Sequence, residues 1–235
     1  MIPLYDELPT KRFPVMTITL IFINVLVFIY ELSLGPKLGS FVAQWGLIPY
    51  EITHFVDVPP ASVRPIFLTI FTSMFLHGSL MHLGGNMLYF WIFGNNIEDI
   101  MGPIKFLIFY ILCGISAAFF QILFSPNSTV PMIGASGAIS GILAGYFVLF
   151  PYAKVYTLFW FFIFIRIIPL PAGLILGFWF LMQLISGIAS LGMQTYGGVA
   201  WFAHIGGFLA GLFLINIFKE DKRSEHYHDY YYTYL

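Results

Sequence analysis

Long stretches of this chain carry no charged residue, and they restrict its fold more than any other feature. Three of them cover residues 65–97, 106–153 and 167–218. A helix needs about 20 apolar residues to cross the hydrocarbon core of a bilayer, so each stretch is longer than one crossing. Over the whole chain 59% of the residues are hydrophobic and 9% are charged, a balance far from that of soluble domains. The chain is therefore predicted to be a polytopic membrane protein.

Apolar runs alternate with breaks at Gly, Pro and charged residues, and this pattern predicts six membrane-spanning helices. The predicted spans are 15–34, 80–95, 104–124, 132–150, 172–189 and 199–218. A polar lead-in of residues 1–14 precedes this membrane domain of 15–218, and a charged, Tyr-rich tail of 219–235 follows it. The aromatic segment 35–66 suits the membrane interface, and segment 152–171 suits a re-entrant or interfacial connector. We expect an all-α bundle of six helices.

Lys and Arg residues fall unequally on the two sides of this topology. Eight lie on the side of the termini, and two, Lys37 and Arg64, lie on the other side. The eight are Lys11, Arg12, Lys105, Lys154, Arg166, Lys219, Lys222 and Arg223. Because cytoplasmic loops carry an excess of Lys and Arg, both termini are predicted to be cytoplasmic, in a plasma membrane. The net charge of -1 carries no information about nucleic-acid or acidic partners. The lipid bilayer is the expected surrounding, and no nucleic-acid partner is expected.

Four polar residues within the predicted spans form a candidate site, because polar groups in a membrane are costly and indicate function. His82 and Asn86 lie on the second span, Ser136 on the fourth and His204 on the sixth. Each lies in the first two turns of its span, and these three spans all start from the outer face. At 1.5 Å rise per residue the four side chains share a depth of roughly 5–10 Å below the outer boundary.

Small residues recur at every fourth position on two spans and predict how these helices pack. The two stripes are Gly137, Gly141 and Gly145 on the fourth span, and Ala203, Gly207 and Gly211 on the sixth. Such stripes let two backbones approach closely. Ser136 precedes its stripe by one residue and His204 follows its own by one, so rotations of about 100° in opposite senses lead to the same side of the interface. We expect the Ser136 hydroxyl to meet the His204 imidazole.

A hydroxyl beside an imidazole is the nucleophile and general base arrangement of acyl transfer. No predicted span carries Asp or Glu at this depth, so we expect a Ser136–His204 dyad whose imidazole is oriented by packing or by an uncharged polar group. His82 and Asn86, spaced i, i+4, lie on one helix face and can direct two side-chain donors at a developing oxyanion. The backbone N–H of Ser136, at a helix start, is a third donor.

Three short motifs occur in order along these spans. They are His77-Gly78-Ser79-Leu80-Met81-His82 with Asn86, Gly134-Ala135-Ser136-Gly137, and Ala203-His204-Ile205-Gly206-Gly207 extending to Gly211. Together they resemble the rhomboid family of intramembrane serine proteases, over residues 13–218. The resemblance implies a six-span core, Ser136 as nucleophile, His204 as base, and an oxyanion and substrate-binding set of His82, Asn86, Gly134 and the Ser136 backbone. It also implies catalysis without cofactor or metal, on single-span membrane proteins cut in or beside the transmembrane segment.

Other parts of the chain relate to the same family. Glu98 with Gly102 matches the family's Glu-x-x-x-Gly element, a structural feature. The Trp-Arg pair often found in the first long loop is not matched, since Trp45 is followed by Gly46 and Arg64 is distant. As the resemblance suggests, a mobile fifth span or the Gly-bearing loop 192–198 is expected to gate lateral entry of the substrate.

Three other functions stay open at this point. A non-catalytic binder of the same fold would use the cavity alone, but such proteins tend to lack the nucleophile or the base. A zinc site of His77, His82 and His204 would lack both a His-Glu-x-x-His spacing and a carboxylate. A transporter is disfavoured because no intramembrane carboxylate is available for ion coupling. Gln121 and Gln183 are expected to form inter-helix hydrogen bonds and not to belong to the site.

Overall fold

The computed structural model describes residues 2–60, 65–161, 164–191 and 198–220. The α-helices are α1 (Val15–Ser33), α2 (Leu38–Trp45), α3 (Pro49–His54), α4 (Thr69–Thr72), α5 (Leu80–Met101), α6 (Pro103–Phe124), α7 (Ser136–Leu149), α8 (Ala172–Ser190) and α9 (Trp201–Phe218). The strands are β1 (Ile2–Asp6), β2 (Lys154–Phe161) and β3 (Phe164–Pro171). Arg64, most of the predicted gating loop 192–198 and most of the tail lie outside the described residues.

The helical membrane bundle is confirmed, and its long helices follow the predicted spans. Within the described residues, α1, α6, α8 and α9 are each long and apolar enough to cross a bilayer. Helix α5 joins the preceding helical segment Ile66–Phe75 at a bend of 78°, and the pair makes a fifth candidate span. Helix α7 has only 14 residues and is shorter than a full crossing. A count of six therefore depends on α7.

Helix α7 begins at Ser136, four residues later than the predicted span, because an extended segment precedes it. Met132 pairs with Leu47 through two backbone hydrogen bonds, of 2.7 and 3.0 Å. Gly134 then donates its N–H to the carbonyl of Ser73 at 2.8 Å. These bonds satisfy backbone groups that a helix would otherwise use. The late start places Ser136 at the first turn of a short helix that is surrounded by longer ones.

The segment expected to be a re-entrant or interfacial connector is instead a β-hairpin. Strands β2 and β3 pair antiparallel, and β1 from the N-terminal lead-in joins β2 on its other side, in the order β1-β2-β3. Aromatic and β-branched residues dominate β2, and Val155 and Thr157 are buried on one face of the sheet. Pro169 and Pro171 lie on β3, an edge strand, where a missing N–H is tolerated.

Extramembrane segments that the six-span topology puts on one side do lie together. Strand β1 pairs with β2, and Lys154 Nζ is 3.8 Å from Glu7 Oε2. Lys105 Nζ, at the start of α6, is 3.6 Å from Glu220 Oε1, just after α9. The N-terminus, the α5–α6 turn, the hairpin and the end of α9 therefore share one end of the bundle. That this end is cytoplasmic stays a prediction.

The Glu-x-x-x-Gly element at the end of α5 holds the start of α1. The Glu98 carboxylate accepts hydrogen bonds from Met16 N at 2.8 Å, Thr17 N at 2.7 Å and Thr17 Oγ1 at 2.8 Å. The first N–H groups of a helix have no intrahelical acceptor, so this carboxylate caps α1. Gly102 ends α5 with a φ of 77°, which glycine adopts readily.

Helices α7 and α9 pack backbone to backbone along the two small-residue stripes. A Cβ built at Gly207 would overlap the carbonyl of Gly137, and one built at Gly211 would overlap the carbonyl of Gly141. This close approach is the arrangement that the stripes predict. It places the start of α7 beside the start of α9.

Candidate active site

The Ser136 hydroxyl and the His204 imidazole are in hydrogen-bonding contact. Ser136 Oγ lies 2.8 Å from His204 Nε2, across the interface between α7 and α9. Both residues are half-buried. Each side chain stands one residue from its stripe, so the close packing of the two backbones brings them together.

The second nitrogen of His204 contacts an amide on α8. His204 Nδ1 is 2.8 Å from Gln183 Oε1, and Gln183 Nε2 donates to the carbonyl of Trp179 at 3.2 Å. The Trp179 ring lies 5.7 Å from the imidazole, centroid to centroid. Sequence reasoning predicted an inter-helix hydrogen bond for Gln183 but left it outside the site. Gln183 is the strongly polar residue of an apolar span, and its amide needs a hydrogen-bond partner in lipid. This feature of the sequence could have indicated that Gln183 belongs to the site.

The start of α7 presents backbone donors next to Ser136. The first helical hydrogen bond of α7 runs from Ile139 N to Ala135 O at 3.0 Å, so the N–H groups of residues 136–138 precede it. Gly134, with a φ of 122°, turns the chain into the helix. N–H groups at a helix start attract negative charge, which suits an oxyanion.

His82 and Asn86 on α5 lie against this turn. A Cβ built at Gly134 would be 2.8 Å from both Cε1 and Nε2 of His82 and 3.6 Å from Asn86 Nδ2. Gly134 thus lets the backbone pass close to both side chains. The residues predicted as oxyanion donors are brought to the same turn as Ser136.

A buried network supports Asn86 from behind. Asn86 Nδ2 donates to His77 Nε2 at 2.9 Å, and the His77 backbone N–H donates to the Glu31 carboxylate at 3.1 Å. Glu31, in the last turn of α1, is only 1% exposed. The prediction that no span carries Asp or Glu at this depth is therefore wrong, since the Glu31 carboxylate of the first span lies behind the site, on the side of Asn86 and not of His204. His77 thus links Asn86 to the end of α1.

A small cavity of about 20 Å³, enough for one water molecule, lies beside Ser136. Its walls come from the bent segment before α5, from α6, from the start of α7 and from the start of α9. Small and apolar residues dominate the lining: Ile70, Ser73, Met74, Gly114, Ala117, Met132, Ile133, Gly134, Ser136, Gly137, Ala138, Ala200 and Ala203. The lining is thus mostly apolar, with hydroxyl groups from Ser73 and Ser136.

The zinc alternative has no support in the arrangement of these histidines. His204 Nε2 faces Ser136, whereas His77 and His82 pack against each other on the α5 side, with ring centroids 5.0 Å apart. Over the part of the chain that the structure describes, no group of three or more His, Cys, Asp or Glu side chains is placed to hold a metal ion.

Comparison with known proteins gives consistent matches. The family model described as the rhomboid domain matches residues 65–220. The chain is 30% identical over 149 residues to "Rhomboid protein 1, mitochondrial" of Saccharomyces cerevisiae, covering 62% of this chain and 40% of that protein. It is 31% identical over 142 residues to "Rhomboid protease AarA" of Providencia stuartii, covering 55% and 48%. It is 29% identical over 174 residues to "Presenilin-associated rhomboid-like protein, mitochondrial" of Mus musculus, covering 70% and 41%. The matches span less than half the length of each of these relatives.

Proposed function

The chain belongs to the rhomboid family, and from that premise we propose that it is an intramembrane serine endopeptidase. The observation that carries the proposal is the 2.8 Å contact between Ser136 Oγ and His204 Nε2 at the start of a short helix within a membrane bundle. Membership alone is compatible with either a protease or a binder. A hydroxyl hydrogen-bonded to an imidazole, next to backbone donors, is what the chemistry of acyl transfer requires.

In the first step Ser136 Oγ attacks the carbonyl carbon of the scissile peptide bond. The hydroxyl proton passes to His204 Nε2, the new O–C bond forms, and the carbonyl electron pair moves onto oxygen. The Ser136 backbone N–H stabilises that oxyanion together with side-chain donors from His82 and Asn86. The Asn86 amide carries two N–H groups, so it can donate one to His77 and one to the oxyanion.

In the second step the tetrahedral intermediate collapses. The C–N bond breaks, His204 Nε2–H protonates the leaving nitrogen, and an ester between Ser136 and the substrate acyl group remains. Water then attacks the ester carbonyl and gives its proton to His204. Collapse of this second intermediate breaks the C–O bond to Ser136, whose Oγ takes the proton back from His204, and releases a carboxylic acid that then ionises in water.

The proposed substrates are single-span membrane proteins. In a transmembrane helix each peptide carbonyl is hydrogen-bonded within the helix, so the cut segment must unwind before it reaches Ser136. The small cavity beside Ser136 is walled largely by glycines and alanines, which favours small substrate side chains next to the cut bond. Helices with glycine or proline near one end unwind at least cost and are the expected targets.

The chain is an integral, multi-pass membrane protein. The expectation of a plasma membrane draws no support from the relatives, two of which are named mitochondrial. The proposal is therefore that both termini share one face of a membrane, with the site opening toward the opposite face.

The test is cleavage of a panel of labelled single-span substrates by the purified full chain in proteoliposomes. We expect Ser136→Ala and His204→Ala each to lower cleavage by roughly 10³-fold or more. Ser116→Ala is the matched control, because that hydroxyl bonds to the Gly206 carbonyl between spans and lies outside the site. A fluorophosphonate, which forms an O–P bond to an activated serine and releases fluoride, should label wild type and not Ser136→Ala.

Cleavage that survives Ser136→Ala would overturn the serine mechanism. If the folded wild type neither cleaves the substrates nor is labelled, but still binds single-span proteins, the non-catalytic binder would be established instead.

A further inference from the structure

The two nitrogen atoms of His204 make contacts of equal length with groups of opposite character. Nε2 is 2.8 Å from Ser136 Oγ and Nδ1 is 2.8 Å from Gln183 Oε1. A neutral imidazole has one N–H donor and one acceptor nitrogen. An amide oxygen can only accept, so Nδ1 must carry the proton. Nε2 is then bare and faces the hydroxyl proton of Ser136.

The orientation of the Gln183 amide is fixed by its other contact. Gln183 Nε2 donates to the carbonyl of Trp179 at 3.2 Å, one turn earlier on α8. A flipped amide would set its oxygen against the Trp179 carbonyl and its NH₂ against His204 Nδ1. Gln183 is 5% exposed, so water has little access to replace either hydrogen bond. The network therefore selects the arrangement in which oxygen faces the imidazole.

An amide suits this position in a membrane better than a carboxylate. In soluble serine hydrolases a carboxylate holds the Nδ1 proton and orients the base. A charged side chain within the bilayer is costly, whereas an amide keeps the acceptor oxygen without a charge. The same oxygen still accepts from Nδ1–H after Nε2 has taken the serine proton.

We propose that Gln183 is a positioning residue of the catalytic unit, which holds His204 in the tautomer that can deprotonate Ser136. The inference rests on the proposed protease function. It makes the base depend on α8, the candidate span with the smallest buried share, 22% against 28 to 44% for α1, α6 and α9. Displacing α8 from the bundle removes the acceptor from Nδ1, so the proton is no longer held on this nitrogen.

The first test reads the tautomer directly and needs no substrate. In the ¹⁵N NMR spectrum of the histidine-labelled full chain, assigned with His204→Ala, wild-type His204 should carry its proton on Nδ1. In Gln183→Leu, which has similar size and no acceptor, a substantial population should carry it on Nε2. Gln121→Leu is the matched control, because that intramembrane amide accepts from Ala203 N and does not contact the imidazole.

The second test is kinetic. Gln183→Leu should lower kcat about 10- to 100-fold with KM changed less than about twofold, since binding is intact and proton transfer is impaired. Gln183→Glu should restore most of kcat, and its activity should fall off at a higher pH on the acid side because a carboxylate stabilises the protonated imidazole. If Gln183→Leu does not fold, Gln183→Met replaces it in both tests, with the same expected results.

The outcomes separate this inference from the proposed function. Wild-type kcat and an unchanged Nδ1–H tautomer in the Leu or Met variant would overturn the positioning role while Ser136-dependent cleavage stands. A tautomer that depends on Gln183, in a wild type that cuts nothing, would support the hydrogen-bond assignment and overturn the protease function.

Discussion

The Cα of Gly207 lies directly against the main-chain carbonyl of Gly137, so that a Cβ at position 207 would overlap this carbonyl. Ser136 and His204 stand beside these two glycines on their respective helices. The approach of the two backbones therefore sets the distance between the hydroxyl and the imidazole. The contact between Gly207 and Gly137 is a packing contact, yet it controls the geometry on which the proposed chemistry depends.

Gly207→Ala is expected to lower both activity and stability. The added methyl group pushes α9 away from α7, which lengthens the contact between Ser136 Oγ and His204 Nε2. We expect at least a tenfold loss of cleavage and a loss of about 1–3 kcal/mol in the free energy of unfolding, as for other overpacked sites. Both are measured in detergent micelles. Gly177→Ala is the control, since its Cβ meets only Phe147 at an ordinary 3.5 Å; equal effects of the two variants would contradict the prediction.

Gly134→Ala tests the turn beside the predicted oxyanion donors. The new Cβ would be 2.8 Å from the His82 ring, and the φ of 122° is unfavourable for any other residue. Backbone strain of this kind costs about 1–3 kcal/mol. We expect kcat to fall more than the unfolding temperature alone explains, because His82 is displaced. Gly85→Ala on α5 has open space around its Cβ and should keep wild-type cleavage; an active Gly134→Ala enzyme would speak against the assignment.

The sequence was sufficient to predict the helical membrane bundle, its long helices and the contact of Ser136 with His204. Long charge-free runs define membrane helices with little ambiguity, and glycine stripes of fixed spacing identify which faces meet. Both signals lie within single segments of the sequence, so they can be recognised without knowledge of the other helices. The start of α7 was misplaced because its preceding residues pair with Leu47 and Ser73, which are distant in sequence.

The sheet and the orienting residues were missed for a related reason. Strand β1 pairs with β2, which lies some 150 residues later in the chain, and no local sequence pattern predicts such a distant partner. Segment 154–171 is rich in aromatic and β-branched residues, a strand signal that its high hydropathy concealed. The partners of Gln183 and Glu31 depend on helix rotation, which the stripes define for α7 and α9 only.

Asp6 is expected to give the protein a pH-dependent stability. Its carboxylate accepts a hydrogen bond from the Tyr146 hydroxyl at 2.6 Å. Burial raises the pKa of Asp6 from 3.8 to about 6, against the lowering effect of that hydrogen bond. The folded state thus holds a proton that the unfolded chain has released, so this contribution is full below about pH 4 and lost as pH rises through about 6. The loss amounts to about 3 kcal/mol.

The measurement is the unfolding temperature in detergent between pH 4 and pH 7 for wild type and Asp6→Asn. Asparagine keeps an acceptor for Tyr146 and does not titrate, so its advantage over wild type should grow as pH rises. Tyr146→Phe removes the hydrogen bond that lowers the pKa and should extend the sensitive window to higher pH. A difference between wild type and Asp6→Asn that stays constant across this range would show that Asp6 does not titrate there.

Glu98→Gln is expected to destabilise the protein while leaving the chemistry intact. Three donors from Met16 and Thr17 converge on the two carboxylate oxygens, and a glutamine offers one oxygen and an NH₂ that faces another donor. Losing charge-assisted bonds and burying an unsatisfied donor costs about 2–4 kcal/mol. Glu98 lies 12 residues along α5 from Asn86, roughly 18 Å at helical rise, so the site should be undisturbed. Cleavage measured below the lowered unfolding temperature should stay within about threefold of wild type.

Thr19→Val is the control for Glu98→Gln. The Thr19 hydroxyl bonds to Val15 O within α1, so its loss should change neither stability nor cleavage. Loss of cleavage in folded Glu98→Gln would mean that the cap of α1 also controls the geometry around Asn86, through the Glu31 carboxylate at the far end of the same helix.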